Sequence, residues 1–291
     1  MKLPSINYAS PTSVAEAVHL LAKHEGEAQI ISGGQSLVPM LAFRLAAPSL
    51  LVDLRRVSGL DRIEIEGEAV VLGAKVRWRD IENDSRLATA HPLLAEAVRH
   101  VAHYQVRNRG TVGGSLAHAD PAAELPAVAV TCGAEIAVVG PNGDRRVKAD
   151  AFFVGPLLTS LAPSEVIVAL RLPAWPPQRR WGFREFARRT GDFALAGAAL
   201  FYDVDVNGRI ANSRVGVFGI DDVPLRLLEV EKVLDGTRPN GAAFAVAVAR
   251  ARDTVTPRTD IHADAEYRRA LLATMLERAL QDAAERKNGH A

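Results

Sequence analysis

The amino-acid sequence predicts an α+β protein built in more than one unit, and three observations carry that prediction. The opening stretch joins a helix-spaced apolar pattern to short apolar runs. The middle interleaves hairpin-like alternation with further helix-spaced runs. A proline cluster, PAWPPQ, then separates these from a second set of strands and helices.

In the opening unit, Thr12 or Ser13 can cap a helix through Val14, Ala17, Val18 and Leu21, whose spacing fits one helical face. Ile30 and Ile31 begin a short strand that stops at a glycine corner. Leu37 to Leu45 reads as a short helix, followed by the strand SLLVDL and a turn near Ser58 and Gly59. From Asp61 onward, RIEIEGEAVVLGAKV alternates apolar and polar residues on both sides of Gly67, as a β-hairpin does. HPLLAEAVRHVAH sets Leu93, Leu94, Ala97, Val98 and Val101 at helical spacing and leads directly into a second glycine corner. AEIAVVGPNGDRRV is a hairpin with Pro-Asn-Gly at its turn, and EVIVALRLP is another alternating strand.

Pro173, Pro176 and Pro177 mark a boundary, because proline cannot continue a ladder and stiffens a connection. Beyond it, ALAGAALFYDVDVNGRIANSRVGVFG reads as strands with a hairpin turn at Asn207 and Gly208. Two helical patterns close the chain. The last places Leu272, Met275, Leu276, Ala279 and Ala283 on one face, which is expected to pack on the C-terminal sheet, with the final KNGHA disordered.

With 291 residues and 48% hydrophobic content, the chain can bury a full core. Lys and Arg number 35 against 34 Asp and Glu, so no general basic field exists to hold nucleic acid. Five arginines between Arg179 and Arg189 read as a solvated face or helix end. No apolar run could span a bilayer, and Pro4, Asn7 and Ser10 interrupt the core a signal peptide would need, so a cytoplasmic protein is expected. Cys132 is the only cysteine, which excludes an internal disulfide and an iron–sulfur cluster ligated by cysteines of this chain alone. His100 and His103 stand one helical turn apart without a third ligand nearby, and no metal site is expected.

The chemistry concentrates at the two corners, ISGGQSLVPML and TVGGSLAHADPAAELPA. A strand that stops at Gly-Gly and turns into a helix exposes backbone N–H groups and lets an anion approach them closely, which suits a diphosphate. Ser36, Thr111 and Ser115 add hydroxyls and Gln35 an amide. Neither corner has the Gly-x-Gly-x-x-Gly spacing of a dinucleotide-binding turn or the Lys of a P-loop.

These two stretches closely resemble the FAD-binding signatures of the flavin-carrying medium subunit of the molybdenum hydroxylases, the group of carbon monoxide dehydrogenase and xanthine dehydrogenase. The resemblance extends through REFARRTGDFA and DIHADAEYRRALL to nearly the whole chain. It implies a two-subdomain FAD-binding fold over residues 1–176, divided at 58, followed by a C-terminal α/β sandwich domain of the CO dehydrogenase flavoprotein type over 177–287. It implies that Ile31, Ser32, Gly33, Gly34, Gln35, Ser36 and Leu37 form the first FAD loop, and Thr111, Gly113, Gly114 and Ser115 the second. Glu124 or Asp120 would meet the ribose or ribityl hydroxyls, although Asp120 can equally cap a helix starting at Pro121. His118, inside the second motif, would be structural or near the cofactor. Ile167 would meet the isoalloxazine edge through its backbone, and Val101 and Asp192 complete the set. Arg184 stands where relatives often carry Lys, beside the flavin. Phe193 stands at a tyrosine position and would cover the ring without a hydroxyl.

The same resemblance implies partners: a large molybdenum-pterin subunit, a small subunit with [2Fe-2S] clusters, and an external electron acceptor, in an α2β2γ2-like assembly. The alternatives are a stand-alone flavin-dependent oxidase or reductase, and a binding or assembly protein that has lost FAD.

Overall fold

A computed structural model describes residues 5–67 and 69–286. The chain opens with β1 (Asn7–Ala9), α1 (Val14–Lys23), β2 (Ala28–Ile31), α2 (Leu37–Ala42) and β3 (Leu50–Asp53), whose strands form a parallel sheet in the order β1-β3-β2. Ser13 caps α1 by accepting the Glu16 N–H at 3.1 Å, and Ala17, Val18 and Leu21 turn inward as their spacing requires. Their core also takes Val166 and closes this layer against the next.

The middle part contains β4 (Ile63–Glu66), β5 (Ala69–Gly73), α3 (Trp78–Asn83), α4 (Leu87–Ala90), α5 (Pro92–His100), α6 (Tyr104–Arg107), α7 (Val112–His118) and α8 (Glu124–Cys132). It continues with β6 (Glu135–Gly140), β7 (Gly143–Lys148), α9 (Ala149–Phe152), β8 (Phe153–Gly155), β9 (Leu158–Thr159) and β10 (Val166–Leu172). Five strands form an antiparallel sheet in the order β4-β5-β10-β6-β7, while β8 and β9 pair separately. Both sequence-predicted hairpins are present, and β10 is the central strand, which explains its nearly continuous apolar run. Every residue of α8 is buried, because it has α5 on one side and the C-terminal sheet on another.

The last part holds β11 (Arg180–Phe186), β12 (Ala196–Val204), β13 (Ile210–Phe218), β14 (Leu225–Arg226), α10 (Leu228–Leu234), α11 (Gly241–Thr254) and α12 (Ala265–Glu285). Its antiparallel sheet runs β11-β12-β13-β14. Alternation along β12 splits the sheet between two cores. Ala199 and Phe201 join the residues around α8, whereas Ala198, Leu200 and Tyr202 join Leu276 and Leu280 of α12.

Two readings are corrected. Three helices close the chain, not two, since the seven-residue α10 is too short to show a clear period. The short helix α6 stands between α5 and the second glycine corner, so α5 does not run directly into it. The proline connection is packed: Trp175 is buried, and the Arg179 guanidinium lies 5.4 Å from its ring and 4.3 Å from that of Phe201 while pairing with Asp203 at 2.9 Å. Pro4 and the closing KNGHA, on which two sequence expectations rest, lie outside the described residues. Among the described residues, no helix is long and apolar enough to cross a membrane.

Candidate functional site: a cleft between two glycine corners

The two corners, remote in sequence, touch. The first follows β2 and the second opens α7. Thr111 caps α7: its Oγ1 accepts the Gly114 N–H at 3.2 Å and donates to Ser32 Oγ at 3.2 Å, clasping one corner to the other. The second corner is fixed from below, where Val112 and Gly113 donate their N–H groups to the carbonyls of Val76 and Ala74. Two glycines answer the question of why the backbone is bare. A Cβ on Gly33 would overlap the carbonyl of Arg109, and one on Gly114 would lie 2.8 Å from Thr111 Oγ1. At Gly33 the first corner therefore lies backbone to backbone against the Arg109–Gly110 segment that leads into the second, while Gly114 leaves room within its own corner for the Thr111 hydroxyl.

Over these corners lies a cleft of about 930 Å³, a size that suits a cofactor. Ile31, Ser32, Gly33, Gly34, Gln35, Ser36 and Leu37 line one wall, and Thr111, Gly113, Gly114 and Ser115 the facing one. Val101 and His118 also face it, as do Asp120 and Glu124. Ile167 reaches it from β10, at a bulge between Ile167 and Ala169 where the strand loses register with β6. Asp192 and Phe193 line the cleft from the C-terminal part, and Phe193 is an exposed aromatic side chain. The cradle fits FAD: bare backbone at the corners, neutral hydroxyl and amide groups beside it, and apolar and aromatic surface beyond.

Arg184 is elsewhere. Alternation along β11 sends its side chain toward α12, where Nε and Nη2 pair with the two oxygens of Asp282 at 2.7 and 2.8 Å. Its charge is committed there and does not face the cleft. Asp120 is not a helix cap either. Its Oδ1 accepts the Ala122 N–H at 2.8 Å in a local turn, and α8 starts only at Glu124. His100 and His103 diverge: His103 lines the cleft, while His100 faces Glu96 and Glu185.

Sequence reasoning missed the far wall, formed by Arg188, Asp260, His262 and Arg268. Arg268 is buried and donates to the carbonyls of Leu195 and Gly219 at 2.7 and 2.6 Å and to Asp260 Oδ2 at 2.7 Å. Burial opposes the charge of Asp260, but Arg268 and the N–H groups of His262 and Ala263 outweigh it and hold its pKa down at about 2. Arg188 in turn donates to the His262 carbonyl at 2.6 Å. The charged cluster within DIHADAEYRR was the available signal, because a buried Arg needs a carboxylate and carbonyls to hold it.

Comparison with known proteins places this geometry. Residues 4–175 match the family described as the FAD binding domain in molybdopterin dehydrogenase, and residues 181–283 the CO dehydrogenase flavoprotein C-terminal domain. The nicotine 6-hydroxylase medium subunit of Paenarthrobacter nicotinovorans is 41% identical over 98% of this chain and 100% of its own length. Carbon monoxide dehydrogenase of Hydrogenophaga pseudoflava, solved without the Mo-pyranopterin moiety of its molybdenum cofactor, superposes with a TM-score of 0.95 at 37% identity, covering 99% of this chain and all of that one. Quinoline 2-oxidoreductase from Pseudomonas putida 86 gives a TM-score of 0.93 at 38% identity, covering 98% and 99%. A medium subunit is a component of a larger enzyme and not a stand-alone flavin oxidase. The chain belongs to the family of FAD-binding medium subunits of the molybdenum-containing dehydrogenases and hydroxylases.

Proposed function

We propose that this chain holds FAD in the cleft between its glycine corners and works as the electron-carrying member of a molybdenum hydroxylase complex. Electrons reach it from a small subunit with [2Fe-2S] clusters, which draws them from a large molybdenum-pterin subunit, and leave to an external acceptor. The observation that carries the reading is the Thr111–Ser32 clasp, which closes two separate Gly-Gly corners into one cradle. When bound, FAD supplies a centre that accepts electrons singly and releases them in pairs. The chain's own residues do the rest. The two corners orient the diphosphate, Glu124 or Asp120 takes sugar hydroxyls, the start of β10 supports the ring edge, and Phe193 covers it and excludes water.

The division at residue 176 is part of the proposal: an FAD-binding part with subdomains 1–58 and 59–176, then a C-terminal domain whose Asp192 and Phe193 complete the cleft. A cytoplasmic complex fits a chain with one buried thiol. Relatives of similar identity are named for nicotine, carbon monoxide and quinoline, so substrate choice is assigned to the large subunit.

The test is the flavin, iron and molybdenum content of whatever copurifies with a tagged copy from the native host. Flavin with iron, molybdenum and two further chains is expected. Flavin on a solitary chain would remove the partner assignment.

A further inference from the structure

The two corners face the cleft with different donors. At the first, among the described residues, the N–H groups of Gly34, Gln35 and Ser36 meet no acceptor of the chain and stand free for an anion. At the second they are spent. Gly110 donates to the Val106 carbonyl, Val112 to that of Val76 and Gly113 to that of Ala74, while Thr111 takes the Gly114 N–H on its hydroxyl and the Ser115 N–H on its carbonyl. This wall therefore meets a ligand mainly through side chains.

One of those side chains is Trp78, the first residue of α3, whose backbone N–H holds the Gly110 carbonyl at 3.2 Å. Trp78 is only 3% exposed, yet it lines the cleft, as Gly110 does. A Cβ on Gly110 would fall 2.7 Å from Trp78 Nε1 and 2.9 Å from Cδ1. Glycine here leaves uncovered the edge of the indole that carries its N–H. Among the described residues that N–H has no acceptor, and Nε1 is not one of the side-chain nitrogens sealed from solvent without a partner, so it opens on the cleft. A buried indole N–H normally finds a hydrogen-bond partner, and one left without it beside a cofactor cradle calls for an explanation.

We propose that the indole N–H of Trp78 donates a hydrogen bond to the diphosphate of bound FAD, and that residue 110 is glycine so that this edge reaches the cofactor. The inference rests on the cleft being the FAD site. On that reading the diphosphate lies between the corners, and it is the charged acceptor within the cofactor. A hydrogen bond to an ionised oxygen is roughly twice as strong as one between neutral groups. The donor is also held in place before FAD arrives, because packing fixes the indole, so little side-chain ordering opposes binding. It adds a donor to the second wall without adding a charge.

The test uses the full chain, freed of flavin and isotope-labelled at its indole nitrogens for nuclear magnetic resonance. The chain has three tryptophans, so three indole N–H signals are expected, and Trp78→Phe assigns one by removing it. Adding FAD or ADP should shift that signal downfield, while riboflavin should leave it in place. Trp78→Phe keeps an aromatic ring beside Gly110 and is expected to weaken FAD binding about tenfold or more. The melting temperature of the flavin-free chain should stay as it was, whereas a packing role would lower it too. A Trp78 signal that ignores FAD, or full FAD affinity in Trp78→Phe, would overturn the donor and leave the cleft assignment standing as long as Gly33→Val abolishes binding. FAD uptake unchanged in Gly33→Val, or none by the wild-type chain, would overturn the cleft assignment itself. A shift with riboflavin but not with ADP would place the donor at the ring and overturn the diphosphate contact. Should Trp78→Phe fail to fold, Trp175→Phe and Trp181→Phe assign the signal by elimination, and its shift decides.

Discussion

At Gly33 the Arg109 carbonyl occupies the space where any side chain would begin, and at Gly114 a side chain would press on the clasp hydroxyl of Thr111. Gly33→Val and Gly114→Val should therefore abolish flavin retention, read from the flavin absorbance of the purified protein. Unchanged flavin content would sink the two-corner cradle. Arg268 and Arg184 make a contrasting pair. Arg268 is buried with three acceptors, so Arg268→Ala strands a carboxylate and two carbonyls and is expected to cost about 3 kcal/mol or more in urea denaturation. It should also loosen the far wall of the cleft and weaken flavin binding. Arg184 pairs with Asp282 at the surface, and Arg184→Ala should change stability by less than about 1 kcal/mol and leave flavin content as it was. A large loss of flavin in that variant would return Arg184 to the site.

Among the elements, α5 couples the fold to pH. The folded pKa of His100 is about 9 against an ordinary 6.5, so its stabilisation is fully present below pH 6.5 and is lost as pH rises through 9. Glu124 acts in the same direction over a lower window, from its ordinary 4.5 to about 8. Asp260 has the opposite sign: its stabilisation is present above 3.8 and lost as pH falls through about 2. Melting temperature should therefore decline between pH 6.5 and 9, and His100→Gln should flatten the upper part of that decline. An equally steep decline in the variant would assign the effect to other groups. The strands show a different coupling. Because β12 sends Phe201 to one core and Leu200 to the other, a single strand supports both α8 and α12.

For the whole molecule, that shared strand means the border between the two matched regions, residues 4–175 and 181–283, divides the sequence but not the core. Phe183, Ala199, Phe201 and Phe218 from beyond the border pack with Leu125, Val128 and Ile136 from before it. A fragment ending at 176 would expose α8, which is apolar nearly all round, at a cost of roughly 25 cal/mol per Å² of apolar surface. It is expected to be insoluble or to bind no flavin, whereas the full chain should unfold in one calorimetric transition. A soluble, flavin-binding fragment would show the first part to be autonomous.

The sequence by itself determined what is periodic or locally turned. The helical face of Val14 to Leu21, the hairpins at Gly67 and Pro141–Gly143, and the stripe from Leu272 to Ala283 all formed because neighbouring residues alone set their period and their turn. The first Gly-Gly corner was legible for the same reason, since a strand that meets glycines and then a helix exposes backbone whatever lies around it, whereas the second lies in the first turn of α7 and follows the short helix α6. Tertiary structure decided what depends on partners far along the chain. Ser32 meets Thr111 across 79 positions, Arg184 finds Asp282 across 98, and Arg268 reaches Leu195 across 73. Periodicity places Arg184 and Glu185 on opposite faces of β11, but it does not say which face meets α12 and which meets α5. Only the packing of the sheet between α8 and α12 chose, sending Arg184 outward to an ion pair and burying Glu185 beside His100.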